Sequence, residues 1–135
     1  MNSRPLMVMR LVTAATEEIG STPSGVLSIF PVVGGSFEGD RLRGRVLSGG
    51  GDWVTGRADG TLDVDLRIIL ETDDRALIHM TFSGVRDDAN HYFRTLPLFE
   101  TSAPKYALRH VGPKSCASRG VSEAERRGRG CRTGL

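Results

Sequence analysis

Carboxylates, an indole, a phenol and guanidinium groups are the chemistry that this 135-residue sequence offers, and they fall in short clusters. Asp52-Trp53 follows a triple glycine, Gly49-Gly50-Gly51, where a backbone free of side chains lets another molecule come close. The Asp52 carboxylate could take a proton or hold a ligand hydroxyl while the Trp53 indole supplies an apolar wall. The structural alternative has Trp53 plugging the interior and Asp52 capping a turn. Tyr92 and Arg94 are two apart and share a face of any strand that carries them. Facing inward, they could bind a carboxylate or an enolate, for which the planar and permanently charged Arg fork is suited. The alternative for Arg94 is an ion pair with Glu100 that braces a strand junction. Asp63, Asp65 and Arg67 also share one face, either a solvated sheet surface or the polar lining of a lumen. His79 is the only histidine in the interior of a predicted strand, His91 standing at a strand end beside a loop, and it is either a hydrogen-bonded structural residue or a base. The three histidines show no i,i+2 or i,i+4 pairing, so no metal site is expected, and no cofactor is expected either.

The elements that must position these groups read as β throughout. Thr61 to Glu71 alternates Leu62, Val64, Leu66, Ile68 and Leu70 with polar residues, Ile69 being the exception. That period of two belongs to a half-buried strand. Asp59-Gly60 ahead of it and Thr72-Asp73-Asp74-Arg75 behind it are turn signals, and Ala76 to Phe82 returns as a hairpin partner. An even loop would set His79 opposite Ile68, and an odd one would set it on the row of Asp65 and Arg67. Upstream, Met7 to Thr13 is a first strand, Glu17 to Gly25 a loop, and Val26 to Val33 a second strand that Pro31 sends to an edge or a bulge. Gly34-Gly35 closes that strand, and Arg41 to Leu47 forms the next. Downstream, His91 to Thr95 is a short strand that Pro97 interrupts, and Leu98 to Thr101 resumes it. Short strands with turns every 8 to 12 residues predict a barrel or sandwich, and recurrent glycine kinks favour the barrel.

Composition narrows the field. The net charge of +2 argues for neither nucleic acid nor an anionic membrane. Residues 1–112 carry 12 basic and 14 acidic side chains against 6 and 2 in 113–135, so the basic excess lies in the tail. No apolar run approaches the ~20 residues of a membrane span, and no signal peptide is read at the start. Both cysteines, Cys116 and Cys131, fall in the tail, which fits a reducing cytoplasm and offers no disulfide framework. There is no G-x-S-x-G, no P-loop and no dinucleotide fingerprint.

The motifs G-G-S-F-E-G-D-R-L-R-G-R-V-L-S-G-G-G-D-W, L-D-V-D-L-R, T-D-D-R-A-L-I, Y-F-R-T-L-P-L-F-E-T and P-K-Y-A, in this order across residues 7 to 107, resemble domain of unknown function family 3237. The resemblance implies an all-β, antiparallel, calycin-like β-barrel with a central cavity and cytosolic oligomers. It implies no established reaction. Three departures stand out: Arg75 and Ser102 stand where the family tends to have glycine, and after Ala107 the family's closing strand is replaced. Residues 1–112 are therefore expected to form the barrel. Residues 113–135, read as the product of a reading-frame change, are expected to be a disordered basic tail that leaves the barrel unclosed.

The expected function is that of a cytoplasmic, homo-oligomeric barrel binding a small apolar or aromatic molecule with an acidic or hydroxyl end. Trp53, Arg67, His79, Glu100 and Tyr106 would bind it, with Asp52, Tyr92 and Arg94 beside them in one cavity. The alternative is an isomerase, cyclase or lyase in which Asp52 acts as base while Tyr92 and Arg94 stabilise an enolate-like charge. A third reading is a purely structural protein.

Overall fold

A computed structural model of the chain describes residues 5–107 and 129–134. Its elements are β1 (Pro5–Thr13), β2 (Glu17–Thr22), β3 (Gly25–Glu38), β4 (Arg43–Val46), β5 (Gly50–Gly56), β6 (Leu62–Thr72), β7 (Leu77–Asp87), β8 (Tyr92–Glu100), a 3-10 turn at Pro104–Tyr106 and β9 (Arg129–Gly134). Every pairing is antiparallel. The order β8-β7-β6-β4-β3-β1-β9 makes one sheet, with β5 continuing the place of β4 between β3 and β6, and β2 lying beside the first half of β3. None of the described helices is long and apolar enough to cross a membrane.

The alternation in β6 orients the whole molecule. Val64, Leu66, Ile68 and Leu70 are buried and Leu62 is half-buried, as expected, while Arg67 and Ile69 are exposed. Because directly paired residues point to the same side of a sheet, this face continues into Val54 of β5 and into Ile78, Met80 and Phe82 of β7. Met7, Met9 and Leu11 of β1, Val32 and Phe37 of β3, Val46 of β4 and Leu42 complete one apolar core on the buried side.

Several boundaries differ from expectation. Glu17–Thr22 is a strand rather than a loop, and a two-residue Pro23-Ser24 turn joins it to β3. Its one large apolar side chain, Ile19, is exposed, so the strand carries no alternation to read. Gly34-Gly35 does not end β3, which spans 14 residues in all and continues to Glu38, with Gly35 at φ +141°. Adding a Cβ to Gly35 would place it 2.1 Å from the carbonyl oxygen of Arg10, so glycine here lets β1 approach. Pro31 lies where β2 gives way to β1 along β3, a gap in the ladder in which a missing donor costs little. Pro97 does not interrupt β8, whose only ladder among the described residues is with β7; an edge strand tolerates proline.

The largest difference is at the end. Arg129–Gly134, inside the expected tail, forms β9 and pairs with β1 from Leu11 to Pro5. A backbone ladder needs no apolar side chains, which is why the composition gave no sign of it. Residues 113–128 lie outside the described residues.

Candidate functional site

On the outer face of β5 to β8, directly paired residues form rows across the sheet. Thr55, Asp63, Val85 and Arg94 make one row, and Trp53, Asp65, Ser83 and Leu96 the next. Gly51, Arg67, Thr81 and Leu98 make the third. Within this face Trp53, Thr55, Asp63, Asp65, Ser83 and Val85 line an open groove of about 650 Å³.

Local packing explains why Trp53 lies where it does. Its indole leans across Gly51, two residues back on the same face, where an added Cβ would sit 3.2 Å from the ring. The bare glycine thus gives a flat aromatic side chain a seat on the sheet. The Arg67 guanidinium stacks over the indole at 5.7 Å from the ring centroid and reaches Asp65 at 3.4 Å. Arg57 donates to Asp63 at 2.6 Å, so two carboxylates and two cations stand beside one aromatic plane. Arg94 stacks on the Tyr92 ring at 5.3 Å and donates to the Phe93 carbonyl at 3.2 Å, but makes no ion pair among the described residues. The expected Arg94–Glu100 pair is absent because the two residues lie three rows apart on β8.

Six of the eight expected site residues share this outward face: Trp53, Arg67, His79, Tyr92, Arg94 and Glu100. His79 pairs with Glu100, its cross-strand neighbour, with Nδ1 3.3 Å from Oε2. The five residues 72–76 between the paired Glu71 and Leu77 make an odd loop, which puts His79 on the side of Asp65 and Arg67. Asp52 is not with them. Consecutive strand residues point to opposite faces, so with Trp53 outward Asp52 turns inward, where it is 5% exposed between its strand partners Phe30 and Leu66. The structure therefore does not bring Asp52 into one site with Trp53, Tyr92 and Arg94. The interior expected to be a central cavity is filled by the apolar core.

Tyr106 is elsewhere again. Its hydroxyl donates to Asp74 Oδ1 at 2.8 Å, and Lys105 Nζ approaches Oδ2 at 3.3 Å. The Thr72 hydroxyl donates to the same Oδ1 at 2.5 Å. Those donors, Thr72 first and Tyr106 second, hold the Asp74 carboxyl down to about 2, and Asp74 in turn holds Lys105 above its ordinary range. The cluster ties the 3-10 turn to the β6–β7 loop. An adjacent rim opening of about 670 Å³ has Arg45 and Glu71 already paired at 2.9 Å and no aromatic wall, so it offers a ligand less than the outer groove does.

Sequence reasoning missed Ser83, Thr55 and Thr95. Ser83 was legible from the alternation of β7 and Thr55 from its two-residue spacing after Trp53. Thr95 is buried on the inward face, and its Oγ1 has no hydrogen-bond partner among the described residues. Among the described residues no three His, Cys, Asp or Glu are grouped to hold a metal ion.

Comparison with known proteins follows the same lines. Residues 1–121 match the family described as "Protein of unknown function (DUF3237)". A UPF0311 protein of Clostridium acetobutylicum is 33% identical over 113 residues, covering 70% of this chain and 71% of that one. A solved beta-barrel like protein from Acinetobacter baumannii superposes with a TM-score of 0.81 at 28% identity, covering 98% of this chain and 93% of that one. A solved structure described as an enzyme from Penicillium herquei has a TM-score of 0.74 at 21% identity, covering 99% and 94%, a likeness of fold alone.

Proposed function

The chain belongs to the DUF3237 family of proteins of unknown function, and we propose that it is a small-molecule-binding β-barrel protein whose site is the groove on its outer wall. The observation that carries this reading is the Trp53 indole seated on Gly51 beside the open groove, with hydroxyls and carboxylates along its length. The ligand class is a planar apolar or aromatic body with a hydroxyl or acidic end. The indole supplies the stacking surface, Ser83, Thr55 and Asp65 supply hydrogen-bonding partners, and Arg94 at the margin supplies a positive fork that makes no ion pair among the described residues.

Trp53 is the only tryptophan in the chain, so its emission reports on the groove directly. Titration with phenol and with phenylacetate should give saturable changes in emission, and Arg94→Lys should weaken phenylacetate by about tenfold, since charge is kept and the fork lost. No saturable change with either compound up to ~10 mM would remove the site from this face.

A second reading, an isomerase, cyclase or lyase, draws on the buried Asp52 carboxylate and Thr95 hydroxyl, both on the inward face. The Penicillium herquei neighbour described as an enzyme shows only that a related fold is compatible with catalysis. In this reading Asp52 is the base, but Tyr92 and Arg94 stand on the other side of the wall and cannot stabilise its product. Conversion of a screened substrate by the wild type and equally by Asp52→Asn would discard it.

A further inference from the structure

We infer that Arg67 is a displaceable cover on the Trp53 indole, and that the guanidinium a ligand dislodges there reads the ligand's acidic end. The site then prefers planar aromatic acids to neutral phenols. This rests on the ligand reading above and narrows its ligand class. The indole is not bare. Its Cη2 edge rests on Gly51, where an added Cβ would lie 3.2 Å away, and the Arg67 guanidinium carbon stands over the ring at 5.7 Å from the centroid. With glycine beneath and a cation above, a planar body reaches the aromatic surface only by taking the place of the guanidinium.

What holds the cover is weak. The Arg67 side chain is 63% exposed, so water screens both its stack and its ion pair. Its contact with Asp65, Nη2 to Oδ2 at 3.4 Å, is the longest ion pair among the described residues and the one side-chain hydrogen bond that Arg67 makes there. Arg57, by contrast, donates to Asp63 at 2.6 Å, so Arg57 is the committed cation of the groove and Arg67 the loose one. Gly51 and Thr81 flank Arg67 on its row. The indole fills the space over Gly51, and the small Thr81 leaves the arginine stem room to swing off on its other side. A guanidinium is a planar fork of several N–H donors, and one contact to Asp65 leaves most of that fork open to a carboxylate. An aromatic acid thus replaces the cation on the ring and recovers it as a charge-assisted, bidentate partner. A phenol breaks the same stack and recovers at most a single neutral hydrogen bond. Asp63 and Asp65 do not shut out the acid, because each already faces a cation. Arg94, at the margin with its own stack on Tyr92, remains a second and separate cation.

Titration of Trp53 emission with phenylacetate and with phenol tests the cover in the wild type, Arg67→Ala and Arg67→Lys, with circular dichroism to check each fold. The wild type should bind phenylacetate about tenfold more tightly than phenol. Arg67→Ala should move the two ligands in opposite directions. Phenol tightens by about two- to fivefold, because no stack has to be broken, and phenylacetate weakens by about threefold or more, because its partner is gone. Loss of a merely structural residue would weaken both. Arg67→Lys keeps the charge beside the ring but lacks the fork, so phenylacetate should weaken while phenol holds. Acrylamide quenching of Trp53 emission without ligand reads the cover by itself, and its constant should rise about twofold in Arg67→Ala. An unchanged phenylacetate-to-phenol ratio in Arg67→Ala, equal weakening of both ligands, or an unchanged quenching constant would each overturn the inference and leave the groove reading in place. No saturable change in any of the three proteins, with quenching raised as expected, would instead overturn the ligand reading and the acid preference with it.

Discussion

Leu66→Ala and Arg67→Ala form the sharpest pair of perturbations, because adjacent residues of one strand test opposite faces of the wall. Leu66 is fully buried, directly paired with Asp52 on one side and Phe82 on the other. Removing three carbons forfeits about 0.8 kcal/mol each in transfer free energy, or about 2.4 kcal/mol. A residual void of ~50 Å³ at about 24 cal/mol per Å³ adds about 1.2 kcal/mol, so the expected loss is about 3–4 kcal/mol. The β6 ladder keeps neighbouring strands from collapsing fully into the space, which favours the upper half of that range. Arg67, by contrast, loses a stack on an indole and a 3.4 Å ion pair from a side chain that is 63% exposed. Such contacts are screened and contribute about 0.5–1 kcal/mol. Urea unfolding followed by far-ultraviolet circular dichroism measures both variants without relying on Trp53, whose surroundings the second variant alters. A loss below about 1 kcal/mol for Leu66→Ala together with more than about 2 kcal/mol for Arg67→Ala would mean that the two faces are inverted.

Arg75 holds φ +63°, a left-handed conformation that costs a side-chain-bearing residue about 1–2 kcal/mol, so Arg75→Gly should stabilise by roughly 0.5–1 kcal/mol after glycine's added freedom in the unfolded chain is offset; a lower thermal midpoint would contradict this. Gly84→Ala should cost at least about 2 kcal/mol, because its Cβ would lie 2.0 Å from the Arg94 carbonyl oxygen and force β7 from β8; a neutral result in urea unfolding would show that the strands can part freely. The Asp74 carboxyl sits at about 2 when folded against an ordinary 3.8. A depressed carboxyl contributes stability above its unfolded value and loses it as pH falls toward the folded one, so the window is about pH 4 to 2. Thermal midpoints of Asp74→Asn should be flatter than wild type across that window, and parallel curves would mean that the Tyr106–Asp74 tie does not couple to folding.

The sequence by itself determined the fold class, the β6–β7 hairpin and the sets of residues that share a side. Period-two alternation in β6 is local physics: a pleated backbone sends successive side chains to opposite faces whatever surrounds it. The Thr72–Arg75 turn and the Asp59-Gly60 turn, with Gly60 at φ +87°, were legible for the same reason. That rule also separates Asp52 from Trp53 once both lie in a regular strand, so the division of the expected site between two faces was implicit in the residues.

Which face is buried was not. The polar row Asp63, Asp65 and Arg67 suits a lumen or a surface equally well. The choice depends on the apolar residues that β1, β3 and β7 add across long sequence separations. Register is just as distant: the shifts at Val12/Thr13 and Glu18/Gly20 decide which halves of β3 meet β1 and β2, and no local composition announces them. β9 joins β1 through backbone hydrogen bonds that leave no mark on side-chain pattern. Tertiary structure alone placed Arg94 on the row of Asp63 and Tyr106 against Asp74, because each pairing is a coincidence of segments brought together by the core rather than a property of either stretch of chain.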